Sequence, residues 1–193
     1  MTLAVSPLIL ASGSPRRREL LTQAGVEFSV IVPGCDETPL SRESAREMVE
    51  RLAFVKASAV AVSYPDSFVL GADTTVCIGG VSLGKPESVE EACQMLRTIQ
   101  GKTHEVWGGI AVVHHTKKVR ECWSHVTRVT MAPMDEETIR DYVASGEPMD
   151  KAGSYAIQGL GLRFVSSIEG SYSNVVGLNL TTVMDKFREL SCR

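Results

Sequence analysis

Three arginines, Arg16, Arg17 and Arg18, stand directly after the stretch Ser12-Gly13-Ser14-Pro15. Ser14 is a good helix N-cap, and Pro15 suits the first helical position because proline has no N–H to leave unpaired. The arginines therefore fall in a first turn, where the helix dipole is already positive and an exposed cation is mismatched by about 0.3–1 kcal/mol. An anion held there would use the free N–H groups and relieve the repulsion between the arginines. Successive helical residues turn by about 100°, so one ligand cannot take all three, and Arg18 is the one expected in solvent. Lys85, kept extended by Pro86, places another cation just ahead of a second helix. Asp73 closes the apolar run Phe68–Asp73. Together these residues point to a bound phosphate. Taken singly, each has a plainer reading: a solvated arginine face, a turn or capping aspartate, a surface lysine.

The elements that must position them follow from periodicity and end signals. Strands are expected at Leu8–Ala11 and Phe28–Val32, both rich in branched apolar residues. A long helix follows Pro39, opened by the capping box Ser44 and Glu47, with Met48, Leu52, Val55, Ala59 and Val62 as its apolar face. Phe68–Asp73 reads as a short buried strand ending at its carboxylate. Gly79-Gly80 turns a hairpin within Thr75–Gly84. Ser88 and Glu91 form a second capping box for a helix to Ile99, stopped by Gly101. Long strands Glu105–His114 and Val119–Met131 flank a turn at Thr116–Lys118. Asp135 opens a helix to Ala144, and Leu180–Leu190 closes the chain as a helix. The pattern is α/β: a mixed twisted sheet with flanking helices. In such sheets ligands collect at strand ends and helix N-termini.

Composition narrows the classes. The 193 residues suit a single domain spanning 1–193, and 44% hydrophobic with 22% charged residues is ordinary for a soluble globular protein. A formal charge of -3 argues against a general nucleic-acid binder. The five cysteines, Cys35, Cys77, Cys93, Cys122 and Cys192, form no CxxC pair, so neither a zinc ribbon nor a redox dithiol is expected. Free thiols fit a reducing, cytoplasmic setting. The four histidines show no metal-ligand spacing, and LASGSPRRR lacks the G-x-x-x-x-G-K-[ST] of a P-loop. The mildly apolar start is too short to span a membrane.

Five segments in order, LASGSPRR, GADT (Gly71–Thr74), GKP (Gly84–Pro86), DKAGSYAIQGLG (Asp150–Gly161) and GSYSNVVGL (Gly170–Leu178), resemble the Maf family of nucleoside triphosphate pyrophosphatases along essentially the whole chain. The resemblance implies a fold similar to the inosine-triphosphatase group, a divalent metal (Mg²⁺ or Mn²⁺), a homodimer, and hydrolysis of a nucleoside triphosphate to monophosphate and pyrophosphate. It implies Asp73 as general base, with Ser12, Arg16, Arg17, Glu37, Lys56, Lys85 and Gln158 lining the site. The chemistry suits these residue types. Asp73 can take a proton from the attacking water or hold a metal that acidifies it. Glu37 is a second carboxylate for the metal. Ser12, Arg17, Lys56 and Lys85 would bind the phosphates, although Lys56 could equally belong to the polar face of its helix.

The family's branches differ at the positions of Arg16, Thr74 and Gln158. The branch acting on methylated guanine nucleotides has Trp, Gln and Glu there, which suit a cationic base. Arg16, Thr74 and Gln158 instead resemble the dTTP/UTP branch, since a glutamine amide matches the N–H and carbonyl edge of uracil or thymine. Modified pyrimidine nucleotides are further candidate substrates. The alternatives are a pyrophosphatase for methylated or other non-standard nucleotides, or a nucleotide-binding regulator of cell division or septation. Asn179 departs from the family pattern, which has proline there; asparagine can cap the last helix instead.

Overall fold

Capped amphipathic segments alternate with runs of branched apolar residues, and the chain folds accordingly into one mixed sheet with helices on both faces. The computed structural model describes residues 7–191, so Cys192 lies outside the described residues. In chain order the elements are β1 (Leu8–Ala11), α1 (Pro15–Gln23), β2 (Ser29–Ile31), α2 (Ala45–Ala61), β3 (Phe68–Ile78), β4 (Val81–Leu83), α3 (Val89–Ile99), β5 (Thr103–His114), β6 (Val119–Met131), α4 (Glu136–Ala144), β7 (Val165–Glu169), α5 (Tyr172–Val176) and α6 (Leu180–Ser191). Three 3-10 turns, Glu147–Asp150, Ala152–Ser154 and Gly159–Phe164, lie between α4 and β7. The strand order is β2-β1-β3-β5-β6-β7. β1 is parallel to β2 and β3, and all other pairs are antiparallel.

Local signals hold up well. Ser44 and Glu47 form the reciprocal capping box of α2. Ser88 caps the Glu91 N–H, although the Glu91 carboxylate turns to the Glu87 N–H instead. Asn179 Oδ1 accepts the Thr182 N–H and so caps α6.

Two expectations are corrected. The run Phe68–Asp73 does not end at its carboxylate: β3 continues through Asp73 to Ile78. Thr74, Thr75 and Val76 are good strand formers, and β5 pairs with β3 from Val69 to Cys77. The inward face of α2 is also rotated. It is Met48, Val49, Leu52, Ala53, Lys56, Ala57, Val60 and Ala61, whereas Ala59 and Val62 are exposed. The cause lies in the sheet beneath. A Cβ on Gly71 would meet Ala53 O and lie 2.8 Å from Ala57 N, and one on Gly109 would meet Val49 O. The helix backbone rests directly on these two glycines, so the alanine stripe faces inward and carries Lys56 with it.

The register of β3 leaves a gap in the sheet. β1 stops at Ala11, opposite Gly71, because the chain turns at Ser12 into α1. β4 begins to pair only at Val76. From Ala72 to Thr75, β3 is paired among the described residues on its β5 side alone. The two sheet faces around this gap have separate cores. Ala53, Ala57 and Val60 of α2 pack on Val69 and Ala111. Leu20 and Leu21 of α1 and Phe187 of α6 pack with Leu10, Leu70 and Ile110.

Candidate active site

A cavity of about 680 Å³ sits at the gap in β3. Arg16, Arg17, Glu37, Lys56, Asp73, Thr74, Lys85 and Gln158 all line it. Ser12 lies beneath Arg17, buried, and is not among the lining residues.

Successive strand residues point to opposite faces, and Asp73 and Thr74 use both sides of the gap. Asp73 turns toward α2, where its Oδ1 lies 2.7 Å from Lys56 Nζ. The same ammonium lies 2.6 Å from Glu37 Oε2, which reaches over from the loop ahead of α2. Lys56 and Asp73 are buried, whereas the Glu37 side chain is 54% exposed. A buried cation is stable only when paired, and two carboxylates here converge on one positive point.

Thr74 turns the other way, toward α1. Arg17 Nη2 donates to Thr74 Oγ1 at 3.1 Å, Nη1 to Ser12 Oγ at 3.1 Å, and Nε to Gly177 O at 2.8 Å. Thr74 Oγ1 in turn donates to Gly177 O at 3.3 Å. Burial lowers the Arg17 pKa, opposed by the charge of Asp73, and the guanidinium stays charged all the same. A guanidinium carries five N–H donors; the protein uses three, which leaves one on each terminal nitrogen for a ligand. Ser14 occupies the N-cap of α1, but its side chain makes no capping bond. The first-turn N–H groups thus stand uncapped beside the cavity. Arg18 is exposed, as the helical turn requires.

Lys85 and Gln158 are exposed at the rim. Arg16 is half-buried. Burial pushes the Asp150 carboxyl up, but the ammonium of Lys151 bonded to it outweighs this and holds it low, and the charge of Arg16 adds to the effect. Glu147, Asp150, Lys151 and Tyr155 also line the cavity, and sequence reasoning gave none of them a role. Three of them lie in or beside DKAGSYAIQGLG, whose match to a family pattern was the only available signal. Glu147 had none.

The described residues hold no group of three or more His, Cys, Asp or Glu side chains arranged for a metal. Mg²⁺ asks for less, commonly one or two carboxylates with phosphate oxygens and water completing its shell. Glu37 and Asp73, already converging on the single ammonium of Lys56, fit that requirement.

Residues 7–190 match the family described as "Maf-like protein". The chain is 48% identical over 182 residues to the dTTP/UTP pyrophosphatase of Pelotomaculum thermopropionicum, covering 94% of this chain and 95% of that one. It is 51% identical over 174 residues to the dTTP/UTP pyrophosphatase of Symbiobacterium thermophilum, covering 90% and 88%. Among solved structures it resembles the Staphylococcus aureus Ham1 protein, with a TM-score of 0.53, 12% identity, and coverage of 95% and 98%. At that identity the likeness shows the fold alone. The described residues contain no helix long and apolar enough to cross a membrane.

Proposed function

The chain belongs to the Maf family, and from that premise we propose that it hydrolyses dTTP and UTP to the monophosphate and pyrophosphate. One observation carries the reading: Asp73 and Thr74 stand side by side in the gap of β3, with Lys56 bonded to one and Arg17 to the other. A carboxylate flanked by two buried cations is what attack on a triphosphate needs. The names of the two enzymes about 50% identical to this chain support the choice of pyrimidine.

In this mechanism Asp73 accepts a proton from the attacking water as the new O–P bond forms at the α-phosphorus. The bond from that phosphorus to its bridging oxygen breaks, and pyrophosphate leaves with the electron pair. Arg17, through its two remaining N–H groups, Lys56 and Lys85 offset the charge of the leaving group. Ser12 and Gly177 O hold the Arg17 fork in place. Glu37 and Asp73 would hold Mg²⁺ or Mn²⁺, which when bound polarises the phosphate and acidifies water. Gln158 offers an amide to the N3–H and O4 edge of uracil or thymine. Arg16 and Thr74 shape the pocket; the Thr74 hydroxyl already serves Arg17 and Gly177. Residues 1–193 act as one such domain in the cytoplasm, where Cys35, Cys77, Cys93 and Cys122 stay free thiols.

Pyrophosphate release from dTTP, UTP, CTP and N7-methyl-GTP, with Mg²⁺, with Mn²⁺ and with EDTA, tests the whole reading. dTTP and UTP should lead, and EDTA should abolish turnover. A preference for N7-methyl-GTP overturns the substrate assignment, and full activity in EDTA overturns the metal.

A further inference from the structure

Gln158 reaches the cavity on the segment Ala156–Gly161, and both ends of that segment are fixed by one pair of side chains. Tyr142, fully buried in α4, accepts the Ala156 N–H on its hydroxyl at 3.0 Å. The same hydroxyl donates to Glu147 Oε1 at 2.8 Å. Glu147 Oε1 also accepts the Gly161 N–H at 2.8 Å, and Oε2 accepts the Leu160 N–H at 2.9 Å. One carboxylate thus takes three donors, and the phenol closes the circuit to the other end of the loop.

The backbone is shaped around this pair. Gly159 has φ +85°, and a Cβ there would meet Glu147 Oε2. A Cβ on Gly161 would meet the Tyr142 hydroxyl and Ala156 O. Burial pushes the Glu147 pKa up, but the N–H groups of Leu160 and Gly161 and the Tyr142 hydroxyl outweigh it and hold the carboxyl below its ordinary value. The group is therefore ionised at neutral pH. Gln158 itself makes no hydrogen bond within the described residues, so its place is set by its backbone.

We propose that Glu147 and Tyr142 are positioning residues for base selection, pinning the loop so that the Gln158 amide meets the pyrimidine edge at a fixed point. This rests on the reading of Gln158 as the base contact. A binding group discriminates only when held to within about 0.5 Å of its productive place. Both Glu147 oxygens are engaged by the loop and Tyr142, so the pair acts through Gln158 rather than on the nucleotide.

The test compares UTP with N3-methyl-UTP, in which the N3–H donor is replaced by a methyl group. The kcat/KM ratio of the two is measured for wild type, Gln158→Ala, Glu147→Gln, Tyr142→Phe and the double variant Glu147→Gln/Gln158→Ala. Backbone amide exchange over 156–161 is followed in the same proteins. Glu147→Gln must set an NH₂ against one of the three donors, and Tyr142→Phe removes the hydroxyl with little change of shape. Gln158→Ala should lower the ratio about two- to tenfold, the value of one hydrogen bond. Glu147→Gln and Tyr142→Phe should move it in the same direction, chiefly through KM for UTP, and speed exchange across 156–161. The double variant should lose no more than Gln158→Ala, because residues acting as one unit are not additive. Equal losses on both nucleotides with the ratio intact would mark the pair as mere support and overturn the proposal. Unchanged exchange in both clamp variants overturns it at the clamp and leaves the Gln158 reading standing. An unchanged ratio in Gln158→Ala removes the base contact itself and the proposal with it. Should Glu147→Gln fail to fold, Tyr142→Phe decides alone.

Discussion

Arg17→Lys keeps the charge at the centre of the site and removes the fork. In the native site the guanidinium serves Gly177 O, Ser12 Oγ and Thr74 Oγ1 at 2.8, 3.1 and 3.1 Å and still has two N–H groups free. A lysine ammonium has three donors at one point, so it cannot span the three acceptors and a phosphate together. A hydrogen bond to a charged group is worth about 1.5–3 kcal/mol. Loss of one such bond in the transition state corresponds to about a 10- to 150-fold drop in kcat/KM, at about 1.4 kcal/mol per factor of ten. The acceptors left without a donor should lower stability by about 1–3 kcal/mol. Pyrophosphate release with UTP gives the first quantity and urea unfolding the second. Arg18→Ala, on the exposed side of α1, is the control and should stay within about 0.5 kcal/mol of wild type. Arg17→Lys within threefold of wild type would show that only charge matters there, and the fork argument would fail.

Asp73→Asn retains an oxygen for Lys56 but cannot take a proton from water. Turnover should fall by about 10²–10⁴ in a folded protein, and near-normal turnover would remove Asp73 as the base. Gly71→Ala sets a methyl against the backbone of α2 at Ala53 and Ala57. Overpacking of this kind costs about 1–3 kcal/mol, read by urea unfolding; an unchanged midpoint would mean that α2 does not rest on Gly71 as described. His104 is buried, with Nε2 bonded to the Tyr155 hydroxyl at 2.8 Å, and burial pushes its pKa down from 6.5 to about 4. The native state thus favours the neutral ring. Above pH 6.5 neither state binds the proton; as pH falls below that, the unfolded chain does so first. Stability should therefore drop between pH 6.5 and about 4, by up to about 3 kcal/mol. Urea unfolding at pH 7, 5.5 and 4.5 should show the slope, and His104→Gln should flatten it; an equal slope in that variant would locate the titration elsewhere.

What the sequence made legible was local. Capping boxes, hairpin turns and strand runs depend on neighbours a few residues away, so Ser44, Gly79-Gly80 and Asn179 read correctly. Lys56 did not read cleanly, because α2 seen alone offers two apolar stripes of similar quality. Gly71 and Gly109 choose between them by letting the alanine stripe lie against the sheet, and neither glycine is on the helix. Asp73 read as a strand end because the gap in β3 arises from where β1 stops and β4 starts, which is a matter of pairing rather than of residue type. The Glu147–Tyr142 pair was illegible for a similar reason. Its bonds run to backbone N–H groups of a loop 13 to 14 residues away, and a backbone N–H carries no mark of residue type in the sequence.

The arginine cluster shows the same division most clearly. From the sequence, a cation in the first turn of α1 has the wrong sign for its helix, and a bound phosphate was the only relief in view. In the fold Arg17 also answers to a second helix. Its Nε donates to the carbonyl of Gly177, the C-cap of α5, 160 residues away. There the dipole is negative and a cation is favoured. The mismatch with α1 is thus partly offset before any ligand arrives, and the short α5 is held in turn by Asn174, which donates to Val106 O and Thr127 Oγ1. A guanidinium fixed between an uncapped helix start and a helix end keeps its fork aimed while two donors remain free. The placement of Arg17 against its own helix is therefore a consequence of preorganisation: the charge belongs to the cavity between α1 and α5, and α1 only delivers it there.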